Sequence, residues 1–222
     1  MPRHPSITRR RFLRVAQALH HFTRRQAVIF FKGEDRRDKR VEFLLPHFER
    51  KGRLKAFWYQ GRKVYVVPRK GRLNVDHGLA CSECLTRIWQ ARPYGEIYPE
   101  KKFKTYPMVP EWAIRYSSGK MLLFEFSTAD NAGRTSLMAA KVNKYLDNLH
   151  AITRDFQAEV VVLFVMDIPR VKVEQFVAGT IPADPIFFID YRTFMTVHAG
   201  EVLTAPVYIW GGDGNTYPLS NV

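Results

Sequence analysis

The sequence predicts a two-part α/β chain. A strongly basic first third of helices closes with a β-hairpin, and a near-neutral region follows in which α, β, β, β, α and β elements build a mixed central sheet. Three observations predict it. Charge is unevenly placed: the 222 residues carry 35 Lys+Arg and 21 Asp+Glu, and residues 1–75 hold 21 of the first and 5 of the second, a surplus of 16, while 76–222 hold 14 and 16. Apolar residues of the basic part recur at helical spacing and then alternate as in strands. Later, Val160-Val161-Val162-Leu163-Phe164-Val165 is a continuous apolar run suited to a strand covered on both faces.

Taken in order, Thr8 is placed to cap a first helix in which Phe12, Val15, Ala16 and Leu19 share a face. His20-His21-Phe22 breaks that pattern. Thr23 caps a short second helix with Ala27, Val28, Phe30 and Phe31, closed by Gly33. Glu34 and Asp35 offer caps for a third helix whose apolar face is Val41, Leu44, Leu45 and Phe48, with Arg36, Arg37, Lys39 and Arg40 in its first turns. Pro46 removes a backbone donor, so the regular helix should kink or end there, before the stop at Lys51-Gly52. Strands over 54–59 and 63–67, joined by Gln60-Gly61-Arg62, complete the segment. Helix, helix, basic helix and hairpin in that order predict a winged helix-turn-helix over residues 1–70. In such a module the basic helix enters the major groove and the hairpin tip meets the phosphate backbone. The expected DNA contacts are Arg24, Arg25, Arg36, Arg37, Lys39, Arg40, Arg62 and Lys63.

The second domain is expected over 76–222, with Pro68 to Val75 as the boundary. Asp76 would cap a helix holding Leu79, Ala80, Cys81, Leu85, Ile88 and Trp89. Strands follow at 95–98, resuming at Lys102-Phe103, then at 111–116 and 120–127. A long helix spans about 132–152 and the apolar strand 160–165 follows it. A short helix near 171–176 and strands at 185–189 and 207–210 extend the sheet. Gly211-Gly212-Asp213-Gly214-Asn215 lacks the Lys-Ser/Thr of a phosphate-binding loop and reads as a turn.

Ser117-Ser118-Gly119 suits a hairpin loop with Gly in the left-handed conformation. Tyr116 then faces Lys120, and counting down the ladder sets Glu111 opposite Glu125, with Ser127 on the face of Glu125. Two directly opposed carboxylates repel. A divalent cation between them would relieve this, since carboxylate oxygens are its preferred ligands; Glu111 in solvent and Glu125 bonded to a neighbouring lysine would do so equally. Cys81 and Cys84 have the spacing of metal ligands but no second pair. With His77 and His150 as the conceivable partners, two small buried side chains on a helix face are the simpler account.

Pro110-Glu111, a hairpin, Glu125-Phe126-Ser127 and a following helix bearing Lys141 and Tyr145 resemble the PD-(D/E)XK signature of restriction-endonuclease-like nucleases. With the winged helix in front, residues 8–165 are similar to the replication-relaxation family of plasmid and mobile-element proteins. The resemblance implies a restriction-endonuclease-like αβββαβ domain, Mg²⁺ held by Glu111 and Glu125, and a lysine near the attacking water. Ser127 stands where that pattern has its lysine, and the loss of one such electrostatic contact commonly costs ~3 kcal/mol of transition-state stabilisation. Lys141 from the helix and Glu83 from the helix before the sheet are the residues that would compensate.

These features predict a double-stranded DNA-binding protein of a plasmid or mobile element. It would act in replication, transfer, transposition or regulation, with a degenerate nuclease-like domain that docks other proteins of such a complex. A Mg²⁺-dependent endonuclease directed by the winged helix is the second reading, and an adaptor for RNA or an acidic protein the third. Homodimerisation would double the half-sites read. At 46% hydrophobic the chain is too apolar for disorder. No window reaches the ~18 uninterrupted apolar residues of a membrane span. No apolar segment backs Arg9-Arg10-Arg11, and two cysteines are too few for a disulfide framework, so a cytoplasmic, nucleoid-associated protein without a membrane partner is expected.

Overall fold

Thr8 opens the first helix as expected: its Oγ1 accepts from the Arg11 N–H at 3.1 Å and starts α1 (Arg9–Ala18). The structure is a computed structural model that describes residues 8–31, 37–68, 74–92, 95–178, 185–197, 202, 206–209 and 216–218. The chain divides into two units between Pro93 and Tyr94. Both are mixtures of helix and sheet.

In the first unit α1 is followed by β1 (His21–Thr23), α2 (Arg24–Ile29), α3 (Arg37–Arg50), β2 (Lys55–Tyr59), β3 (Arg62–Val66) and α4 (Val75–Ala91). The three strands form an antiparallel sheet in the order β1-β3-β2. The strand β1 lies where the sequence shows only an interrupted helix pattern. Its register, His21 opposite Val66 and Thr23 opposite Val64, is a pairing across more than forty residues that local periodicity does not carry. Thr23 ends β1 and caps α2 through a capping box with Gln26, whose Oε1 accepts from the Thr23 N–H at 2.8 Å.

Three expectations are corrected here. The helix α3 runs on through Pro46 to Arg50, so proline does not end it. The hairpin loop is the two residues Gln60-Gly61 and Arg62 already belongs to β3; both loop residues have positive φ, 46° and 73°, as a tight turn matching strand twist requires. The helix α4 starts one residue before Asp76, capped by Asn74, whose Oδ1 accepts from the His77 N–H at 3.2 Å. Asp76 instead takes the Tyr59 hydroxyl at 2.9 Å. The expected cap at Glu34-Asp35 and the stop at Gly33 lie outside the described residues.

The helix α4, expected as the first element of the second domain, packs within the first unit. Phe30 meets Trp89 at 5.2 Å between ring centroids, and Gln26 Nε2 donates to Glu83 Oε2 at 3.1 Å. Gly78 lies so close to β1 that a Cβ there would stand 2.1 Å from His21 Nδ1. Apolar surface left over by α2 and β1 takes up this helix, so the boundary falls after it and not at 70–76.

The second unit begins with β4 (Glu96–Pro99), a 3-10 turn at Glu100–Phe103 where a resumed strand was expected, β5 (Trp112–Arg115) and β6 (Lys120–Ser127). Then come α5 (Ala129–Ala132), α6 (Thr135–Phe156), β7 (Glu159–Met166), α7 (Arg170–Ala178), β8 (Ile186–Asp190), α8 (Tyr191–Thr196), β9 (Pro206–Ile209) and β10 (Thr216–Pro218). One seven-stranded sheet orders them β10-β9-β8-β7-β6-β5-β4. It is mixed: β6, β7 and β8 are parallel and the outer pairs antiparallel. The expected long helix is α6, which starts at Thr135 and runs on to Phe156, with the short α5 ahead of it across Gly133-Arg134. Residues 211–215, read as a turn, lie outside the described residues, though the strands on either side pair with each other.

The core of this unit lies under α6 and α7. Met138, Val142, Tyr145 and Ile152 of α6 and Val173, Phe176 and Val177 of α7 pack on Leu123, Val162, Phe164, Ile186 and Phe188 of the sheet. On the other face Trp112 stacks on Phe124 at 4.1 Å and Tyr191 stands edge-on to Phe126. The strand β7 follows the expected pattern of a strand covered on both faces: Val160 to Met166 are buried, and Glu159 at its start is exposed.

Candidate functional site

Two groups of residues carry chemistry, one in each unit. In the first, α3 buries Val41, Leu44, Leu45 and Phe48 and leaves Lys39, Arg40, Phe43 and Arg50 on its outer face. The Arg40 guanidinium lies 5.5 Å over the Phe43 ring and His47 stacks on the same ring at 5.8 Å. Residues 40, 43 and 47 share a helix face by their spacing. Phe43 is 49% exposed, uncommon for a large apolar side chain in mid-helix. The pKa of His47 is held below the ordinary histidine value, by desolvation first and then by the positive field of Arg9, Lys51, Arg50 and Arg40. That field marks a concentrated positive potential around the helix.

Of the expected DNA contacts, Arg25, Lys39, Arg40 and Arg62 are exposed. Arg24 is paired with Glu42, and Lys63 with Glu49 at 3.2 Å, which also raises the Lys63 pKa. Exposed pairs of this kind contribute about 0–1 kcal/mol, so both cations can be exchanged onto phosphate. Arg36 and the side chain of Arg37 lie outside the described residues. Two aromatic residues on this surface, Phe43 and Trp58, have no counterpart in the charge pattern; the signal for Trp58 is its position on a strand beside the predicted hairpin tip.

In the second unit the register places Trp112 opposite Phe124 and Arg115 opposite Met121, and the Tyr116 N–H donates to the Lys120 carbonyl at 2.8 Å. The φ of Gly119 is 83°. One step beyond the ladder the Glu111 N–H donates at 3.0 Å to the carbonyl of Phe124, the residue already opposite Trp112, so the strand is offset by one residue there and the expected pairing of Glu111 directly across from Glu125 does not continue the ladder. Alternation along β6 turns Glu125 toward α6, where it is completely buried.

Both Glu125 oxygens are bonded from that helix. Lys141 Nζ donates to Oε2 and the Tyr145 hydroxyl to Oε1, each at 2.5 Å. Positions 141 and 145 are one turn apart, which is why one carboxylate receives both. Burial pushes the Glu125 pKa up, Lys141 pulls it down and the Glu111 charge raises it again, leaving it at about 7. The Tyr145 hydroxyl, buried against this carboxylate, is pushed well above its ordinary value.

Ser127 is buried two residues on and donates to Met138 Sδ at 3.3 Å, and the cation that meets Glu125 is Lys141 of α6. Glu83 belongs to the first unit, bonded to Gln26 and paired with Arg87 at 3.6 Å. Cys81 and Cys84 are buried free thiols, and burial raises the Cys84 pKa well above its ordinary value. His77 Nε2 stands 3.5 Å from Cys81 Sγ, one turn away on α4. His150 is exposed on α6.

Each Glu125 oxygen accepts one of these two bonds and retains a second lone pair, so this carboxylate still offers the oxygen donors a hard divalent cation takes. No protein-family model matches the chain, and neither a curated protein nor a solved structure resembles it significantly. Among the described residues no helix is long and apolar enough to cross a membrane.

Proposed function

We propose that this protein binds double-stranded DNA through its first unit, as a winged helix, and carries a restriction-endonuclease-like second unit. The observation that carries the reading is the first unit's order of elements, α1-β1-α2-α3-β2-β3 with a β1-β3-β2 sheet, combined with the exposed basic face of α3. In a winged helix the third helix is the one that enters the major groove and the β2-β3 hairpin is the wing. Lys39, Arg40 and Arg25 then meet phosphates or base edges, and Arg62 the flanking backbone. Action at a plasmid or mobile element, in the nucleoid, rests on the resemblance of this two-part order to the replication-relaxation family.

Titration of a short duplex at rising salt tests it. Affinity should fall steeply with salt, and a substitution that removes one phosphate-binding cation should reduce the logarithmic slope by about 0.9. Binding that is negligible at low salt, or unchanged when Lys39 and Arg40 are both replaced by alanine, would sink the reading.

A metal-dependent phosphodiesterase is the second reading, favoured by the convergence of Lys141 on Glu125 and by the Glu111 charge felt at that carboxylate. Glu111 and Glu125 would hold the Mg²⁺, which supplies Lewis-acid stabilisation of a phosphoryl oxygen. Lys141 would hold positive charge at Glu125 and stabilise the developing phosphorane from the helix side. Tyr145 fixes the other Glu125 oxygen. Nicking of supercoiled plasmid with Mg²⁺ or Mn²⁺ that disappears in Glu125→Ala would support it; no nicking at any metal concentration would leave the second unit as a non-cleaving scaffold, with Lys141 as the permanent counter-charge of Glu125.

A further inference from the structure

Trp58 is 75% exposed, while Trp89 and Trp112 are 5% and 0% exposed. It lies on β2, one residue before the last of the strand, and pairs in register with Lys63. Register partners project from the same side of a sheet. Lys63 bonds Glu49 of α3 at 3.2 Å and lies 5.3 Å over the Tyr65 ring. The Trp58 ring is therefore on the side of the hairpin that meets α3. Lys63 stands beside Trp58 on that side with Glu49 as its partner, exposed Lys51 and Arg53 lie in the turn leading into the hairpin, and Lys55 and Arg62 alternate to the other face. An exposed aromatic platform next to cations is complementary to a nucleobase carried on its phosphate backbone.

In an intact duplex both faces of every base are covered by its neighbours, so a side chain arriving from outside finds no free π-face. A stacking platform is used only where a base has left the stack, at a kinked step, a bulge or a junction. We infer that Trp58 stacks on an unstacked nucleobase of the bound DNA, and that the module prefers DNA with a locally opened base stack to uniform duplex. This rests on the DNA-binding reading of the first unit.

The experiment compares a short duplex with the same duplex carrying one bulged nucleotide, using the full chain. Wild type should bind the bulged duplex more tightly, and its tryptophan emission should be quenched on binding. Trp58→Ala should bind the bulged duplex about 5- to 100-fold more weakly while holding its affinity and salt slope on intact duplex. Trp58→Phe should restore the preference without the quenching, which assigns the signal to this ring. Equal preference in wild type and Trp58→Ala, or emission unaffected by DNA but altered on concentrating the protein, would overturn the inference and in the latter case give the ring to a second copy of the chain. Failure of wild type to bind any DNA at low salt would overturn the DNA-binding reading itself, a result distinct from salt-dependent binding that ignores the bulge.

Discussion

Lys141 Nζ on α6 stands 2.5 Å from Glu125 Oε2 on β6, an ammonium from a side chain 35% exposed reaching a carboxylate with essentially no exposure. A buried carboxylate deprived of its cation either stays charged at high cost or takes up a proton. Lys141→Met should therefore destabilise the second unit by about 2 kcal/mol at pH 8, discounted for the exposure of the lysine, and by distinctly less at pH 6. Urea unfolding at the two values measures it, and an equal loss at both would refute the coupling.

The pKa of Glu125 is raised from 4.5 to about 7 by burial, against the pull of Lys141. A raised folded-state value means that the native protein holds a proton which the unfolded chain releases. Stability from this group is complete below pH 4.5 and is lost as pH rises through 7. Glu125→Gln, neutral throughout, should flatten the decline between those limits, by at most about 3 kcal/mol. Thermal unfolding against pH of wild type and variant checks this, and parallel profiles would contradict it.

At Gly78 an added Cβ would overlap His21 Nδ1 at 2.1 Å, where β1 and α4 meet. Alanine ordinarily favours a helix over glycine by about 1 kcal/mol. Overpacking here should outweigh that, so that Gly78→Ala destabilises the first unit by about 1–3 kcal/mol. A stabilised variant in denaturant unfolding would show that His21 moves aside without cost.

Arg40 lies over Phe43, whereas Arg24 is paired with Glu42. On the proposed DNA-binding surface Arg40→Ala should reduce both affinity and salt slope, and Arg24→Ala should do so less, because Glu42 already offsets part of its charge. Anisotropy titrations at several salt concentrations compare the two. A larger effect for Arg24 would move the contact surface from α3 to α2.

Much of both units is readable in one dimension. Helical spacing marks Phe12 to Leu19 and Val41 to Phe48, and the continuous apolar run marks β7. The loop at Gly119 suffices to place Trp112 opposite Phe124, because a hairpin's register follows from its turn, whereas counting from the turn does not show the one-residue offset at Glu111. What local pattern does not carry is which distant segment covers which surface. His21-Phe22-Thr23 is a strand only because β3 offers it an edge, and α4 joins the first unit only because Gly78 lets it approach β1. Residue identity alone left Lys141 between a flanking surface charge and a partner for Glu125. Its contact with that carboxylate depends on α6 crossing the sheet face that alternation along β6 buries. Local pattern carries most of the helices and strands, the split of charge and the hairpin register as far as Trp112; tertiary packing sets β1, the unit boundary, the buried state of Glu125 and the cation that meets it, because burial and electrostatic coupling belong to surfaces in contact and not to positions along a chain.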